Sequence, residues 1–126
     1  MSYSLVEIFQ RAGKKVRDID SLTGLAEYRN GGLFIDLQIL ELKKEHEKEA
    51  YLPSDPQIIE WRALTIALLD RLWQDSLSKF SLSQSQWPIA MLLEGASWPS
   101  GRKIARELRG PKAPPPLKLI LEGNVF

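Results

Sequence analysis

The chain has 126 residues, no cysteine, one histidine, and 17 basic against 16 acidic residues for a net charge of +1. Disulfides, thiolate nucleophiles and cysteine-bound zinc are excluded, and the near-neutral balance argues against a nucleic-acid partner, which calls for a basic excess to neutralise phosphates. With 44% apolar and 26% charged residues, the length suits one domain over residues 1–126 with a core of its own.

No run approaches the roughly 18–20 apolar residues that cross a bilayer. Glu7 and Gln10 interrupt the apolar pattern at the amino terminus, so a signal peptide is not expected there. A cytoplasmic protein with no membrane partner is the default reading. Residues 3–12 place Leu5, Val6, Ile8 and Phe9 on a broad helical face, and Gly13 is positioned to stop the helix. Asp20 or Ser21 can cap a short second helix carrying Leu22, Leu25 and Tyr28, with Asn30-Gly31 as a left-handed ending. Residues 33–42 are apolar nearly throughout, and alternation at 35, 37 and 39 predicts a strand over part of them, a helix being the alternative. The mixed-charge run 43–48 reads as a solvated turn or helix end.

Pro53-Ser54-Asp55-Pro56 is a helix-start signal, with Ser54 or Asp55 as cap and Pro56 in the first turn. The helix it opens, 57–75, has apolar residues over most of its circumference, which predicts a central element packed on more than one side. Residues 76–86 are rich in Ser and Gln and read as a loop or frayed continuation. Trp87-Pro88 opens a short helix through Leu93, residues 94–99 turn the chain, and Pro99 starts a helix ending at Gly110. The proline-rich stretch 111–116 runs extended, and 117–126 reads as a strand with a tight turn at Glu122-Gly123-Asn124.

Three places carry polar groups in unusual settings. Arg29 and Asp36 flank Gly31-Gly32, where missing Cβ atoms permit positive φ and close approach of another group. Glu60 and Arg62 interrupt an apolar helix, and ionised groups there need partners, a pocket or an exposed edge. Around Glu94, Ser97, Trp98 and Arg102, free N–H groups at a helix start with Arg102 one turn in suit an anion. A plain capped turn explains that segment equally well. Trp61, Trp73, Trp87 and Trp98 suit stacking on a base or sugar, or simply core packing. His46 reads as a surface residue with no Ser/His/Asp context, and neither a metal site nor a cofactor is expected.

Taken in order, SLTGLAEYRNGGLFIDLQIL, EWRALTIALLDRL, LLEGASWPSGRKIA and LKLILEGNVF resemble the carboxyl-terminal part of one family. It is the uncharacterised-domain family of the uracil catabolism protein, from the fungal and bacterial uracil degradation gene cluster. The resemblance covers essentially the whole chain, which begins where the family's last third begins and so reads as a truncated product, a split gene or a fragment. It implies a role in uracil or pyrimidine breakdown, with hydrolysis of the N-glycosidic bond of a ribosylated breakdown product as the reaction. On that basis Asp36 or Glu60 is the catalytic carboxylate. Arg29 and Arg102 face phosphate, Trp98 is a stacking wall, and Asn30, Arg62 and Glu94 complete the substrate-binding set. The partner is then a small nucleoside- or nucleotide-derived substrate.

The expected fold is mainly α: a compact domain of about five helices with a small antiparallel β element from residues 33–42 and the carboxyl terminus. The alternative to an enzyme is a non-catalytic interaction module that completes another polypeptide, motivated by the abrupt start on an apolar helix. A nucleic-acid binder using the basic end at Arg102–Arg109 is the weakest reading. The enzyme reading needs the Asn-Gly-Gly corner and the Trp-Pro bend to share a cleft.

Overall fold

The computed structural model describes residues 2–19, 22–44 and 49–120. Its helices are α1 (Ser2–Arg11), α2 (Tyr28–Asp36), α3 (Pro56–Phe80), α4 (Ile89–Leu92) and α5 (Trp98–Arg109). A π-helical turn, Leu93–Ser97, joins α4 to α5 without a break, so the described residues form four helical rods rather than five. The expected antiparallel β element is absent from the described residues. What stands in its place is a single parallel bridge between Tyr51 and Leu119. His46 and the predicted turn at 122–124 lie outside the described residues.

The largest departure from expectation is α2. Residues 22–27, read as helical, are not, and the helix starts at Tyr28, where the short helix was expected to end. It then runs through Asn30-Gly31-Gly32 and takes the first residues of the predicted strand. Glu27 decides the start: its carboxylate accepts a hydrogen bond from the Arg29 N–H at 3.0 Å and so caps the helix. Two adjacent glycines weaken a helix by roughly 1 kcal/mol each relative to alanine, so tertiary contacts must offset them. They do, because both glycines sit where another side chain presses on the backbone. A Cβ on Gly31 would lie 2.7 Å from Thr65 Oγ1 and 2.9 Å from Trp61 Nε1, and one on Gly32 would lie 3.1 Å from Pro116 Cδ. Close approach, rather than positive φ, is the reason for glycine here.

Three helices end alike. After α1, Gly13 takes φ 72°, with Lys14 N–H donating to Phe9 O and Gly13 N–H to Gln10 O. After α2 and α3, Gln38 (φ 58°) and Ser81 (φ 53°) occupy the same left-handed position and make the same pair of bonds. The α3 start also matches its signal, with Pro56 in the first turn, but the Asp55 carboxylate turns back to accept from Leu52 N–H at 3.0 Å.

α3 continues to Phe80, five residues beyond the predicted 75, and its burial is one-sided. Ile58, Trp61, Thr65, Leu69 and Leu77 form the buried stripe, while Ile59, Leu64 and Leu72 are exposed, so the expectation of packing on several sides is corrected. Phe34, Leu69, Ile89 and Leu93 make one core cluster. Tyr51, Ile58 and Trp61 make the other, with Leu117 and Leu119 against them. The turn expected at 94–99 is instead the π turn. Pro99 has no N–H to give the preceding turn, and the wider π turn lets the helix pass it without breaking.

Candidate functional site

The Asn-Gly-Gly segment and the Trp-Pro segment do meet, through α2 packed against α5. Gly101 makes this contact possible: a Cβ there would overlap the Arg29 carbonyl oxygen and lie 2.9 Å from its carbon. Beside it, buried Ser97 donates through Oγ to Asn30 Oδ1 at 2.9 Å, and Asn30 Nδ2 donates to Leu25 O at 3.2 Å. Both ends of the Asn30 amide are therefore engaged inside the protein. Arg29 stacks on Tyr28 with its guanidinium 4.3 Å from the ring centre and lies 5.0 Å from the Trp98 ring; Arg102 approaches the same indole at 5.6 Å. Arg29 Nη1 also pairs with Glu27 at 2.7 Å.

Asp36 closes the far end of the junction. Both of its oxygens accept from Arg109, each at 2.6 Å, and Arg109 Nε donates to Pro114 O at 2.8 Å. The carboxylate side chain is only 3% exposed. This two-pronged pair fixes α2, α5 and the proline strap together. Between the helices, the space bordered by Arg29, Gly32, Asp36, Gly101 and Arg109 leaves no room for a water molecule. The two predicted segments thus meet in a close-packed joint, not around a shared cleft.

A more open hollow lies where α2 and the segment after it face α3. It is a cleft of about 140 Å³, walled by Ile35, Leu40, Leu42, Trp61, Leu64 and Leu117. Glu41, Lys43, Gln57 and Glu60 supply its polar groups. Glu60 is the one predicted site residue in this lining, and it is exposed on α3. Arg62 borders a separate hollow of about 10 Å³ with Glu27, Tyr28 and Thr65. Glu94 is exposed on the π turn. Gln57 buries its Oε1 with no hydrogen-bond partner among the described residues. Among the described residues no group of three His, Cys, Asp or Glu side chains is placed to hold a metal ion.

Sequence reasoning missed Glu27, Ser97 and Arg109 as partners of Arg29, Asn30 and Asp36, and missed Glu41 and Lys43 in the cleft. Only Glu27 left a local signal, an acid immediately ahead of a helix. Ser97 and Arg109 are 67 and 73 residues from their partners, beyond the reach of any spacing rule.

The family model described as a protein of unknown function (DUF1688) matches residues 1–126. The chain belongs to this family. Among its relatives, Protein urg3 of Schizosaccharomyces pombe is 42% identical over 130 aligned residues, and Uracil catabolism protein 4 of Lachancea kluyveri is 35% identical over 144. Each alignment takes in 100% of this chain and 32% of the relative, so this member spans about a third of the length of both. No solved structure matches it. Among the described residues of this DUF1688 chain no helix is long and apolar enough to cross a membrane.

Proposed function

We propose that the chain acts in uracil catabolism, and that its α2–α3 cleft takes the ribosylated product of pyrimidine ring opening for hydrolysis of the N-glycosidic bond. The first part is supported by the likeness, over the full chain, to a relative named for uracil catabolism. The observation that carries the second is that Glu41, Glu60 and Lys43 all line one largely apolar cleft. Glycosidic hydrolysis needs a carboxylate to stabilise an oxocarbenium-like centre or to activate water, and a cation suits a ribose phosphate. A void of about 150 Å³ holds one six-membered ring, so a cleft of about 140 Å³ encloses one ring of the ligand, the ribose, and leaves the ureido and phosphate groups at its mouth. In this reading Glu60 is the reacting carboxylate. Asp36 is a structural anchor, because both of its oxygens are already taken by Arg109.

Calorimetric titration with ribosylurea phosphate, and with uridine monophosphate for comparison, tests the binding. Saturable heat that Glu60→Gln and Lys43→Ala both weaken supports the cleft. A folded sample giving no heat at millimolar ligand refutes it. In a full-length relative that turns the compound over, the Gln substitution at the position of Glu60 is expected to lower kcat by about 10²–10⁴-fold.

A further inference from the structure

α1 is amphipathic, and large apolar side chains among its described residues are exposed. The helix packing of the described residues joins α2 with α5 and α3, and α3 with α4, while α1 takes no substantial part in it. Leu5, Ile8 and Phe9 follow the i, i+3, i+4 spacing of one helical face and are 44%, 60% and 50% exposed. Glu7 and Arg11 pair with each other, one turn apart and in full contact with solvent. A helix of 10 residues is shorter than the roughly 12–15 that hold together alone in water, so this one requires a surface to lie on.

We infer that the Leu5–Ile8–Phe9 face of α1 is a docking surface for the portion of the family polypeptide that this chain does not span. Both relatives are about three times as long as the segment matched here, so about two thirds of each polypeptide is covalently available to cover this face. Area argues for the same occupant. Three half-exposed side chains of this size offer roughly 300 Å², whereas a free-standing complex needs about 800 Å² from each partner. A contact that small is sufficient only when a covalent link supplies a high effective concentration. Charge argues against a lipid surface: helices that lie on anionic membranes carry several Lys or Arg on the polar face, and α1 offers Arg11 already paired with Glu7.

The test is hydrogen exchange on two proteins, this chain and full-length Schizosaccharomyces pombe urg3. In the full-length protein the amides of the segment aligned with residues 5–11 should exchange at least about 10-fold more slowly than in this chain, and glutamate at the positions of Ile8 and Phe9 should abolish the difference. In this chain, Ile8→Glu and Phe9→Glu should leave the circular dichroism of the rest of the fold and its thermal midpoint unchanged. Equal exchange in the two proteins overturns the inference, as does protection in the full-length protein that survives both substitutions. Self-association of this chain through α1, seen by sedimentation, overturns it in favour of a second copy. Binding of this chain to phosphatidylglycerol vesicles, lost in Phe9→Glu, overturns it in favour of a lipid. None of these outcomes depends on the ligand of the α2–α3 cleft.

Discussion

Replacing Gly101 by alanine tests the tightest glycine environment among the described residues. The new Cβ would overlap the Arg29 carbonyl and stand 2.9 Å from its carbon, where two carbons prefer about 3.5–4.0 Å. Both partners are helix backbone, so no side chain can rotate away and α2 and α5 must part by roughly 1 Å. Overpacking of this kind costs about 1–3 kcal/mol, and a backbone-on-backbone clash belongs at the upper end. Against it stands the better helix propensity of alanine, about 0.8–1.0 kcal/mol. The net expectation is a loss of about 2 kcal/mol. With an unfolding entropy of about 2.1 cal/mol/K per residue over 126 residues, that lowers Tm by roughly 7–8 °C. Urea unfolding followed by tryptophan fluorescence measures it. Gly95→Ala is the matched control: it lies in the same continuous helix, and a Cβ there meets nothing within 4 Å. It should gain up to about 1 kcal/mol. A Gly101→Ala protein as stable as wild type would refute the close-packed joint, because propensity alone cannot give the two glycines opposite signs.

Asp36→Ala should destabilise by about 2–3 kcal/mol in urea, since it strands the half-buried Arg109 guanidinium, and Arg109→Ala should cost a similar amount without adding to it in the double variant. Ser97→Ala leaves the buried Asn30 Oδ1 without its donor, and a loss of about 1–3 kcal/mol is expected from the same assay. Glu27→Ala removes the α2 cap and the Arg29 ion pair together; about 1 kcal/mol of stability and faster amide exchange at the start of α2 should follow. Gln57→Met runs the other way. It deletes a buried oxygen that has no partner, so the urea midpoint should hold or rise, and a clear loss would reveal an unseen contact at that amide.

The sequence made some elements legible and disguised others for identifiable reasons. α1, α3 and α5 were readable because their punctuation is local: Gly13 after α1, Pro56 opening α3 and Gly110 closing α5 each act within one turn. α2 was misread because Asn-Gly-Gly is the ordinary signature of a chain reversal, and the β-rich look of residues 33–42 reinforced that reading. Propensity lost there to packing, with Trp61 and Thr65 filling the space beside Gly31 and Pro116 the space beside Gly32. The Trp-Pro turn failed for a related reason, since a π turn carries the helix past Pro99. Of the predicted site residues, Arg29, Asn30, Trp98 and Arg102 do gather at one joint, while Asp36 serves the joint as an anchor and Glu60 belongs to a different face.

By itself, the sequence determined the helical class, the family and the start of the longest helix, because periodicity, caps and composition act over a few residues and need no partner. Only the tertiary structure decided what the glycines were for and which carboxylate remained open to solvent. Those outcomes depend on groups some 70 residues apart meeting at van der Waals distance, as Arg109 and Asp36 do. No property of either residue alone encodes that meeting.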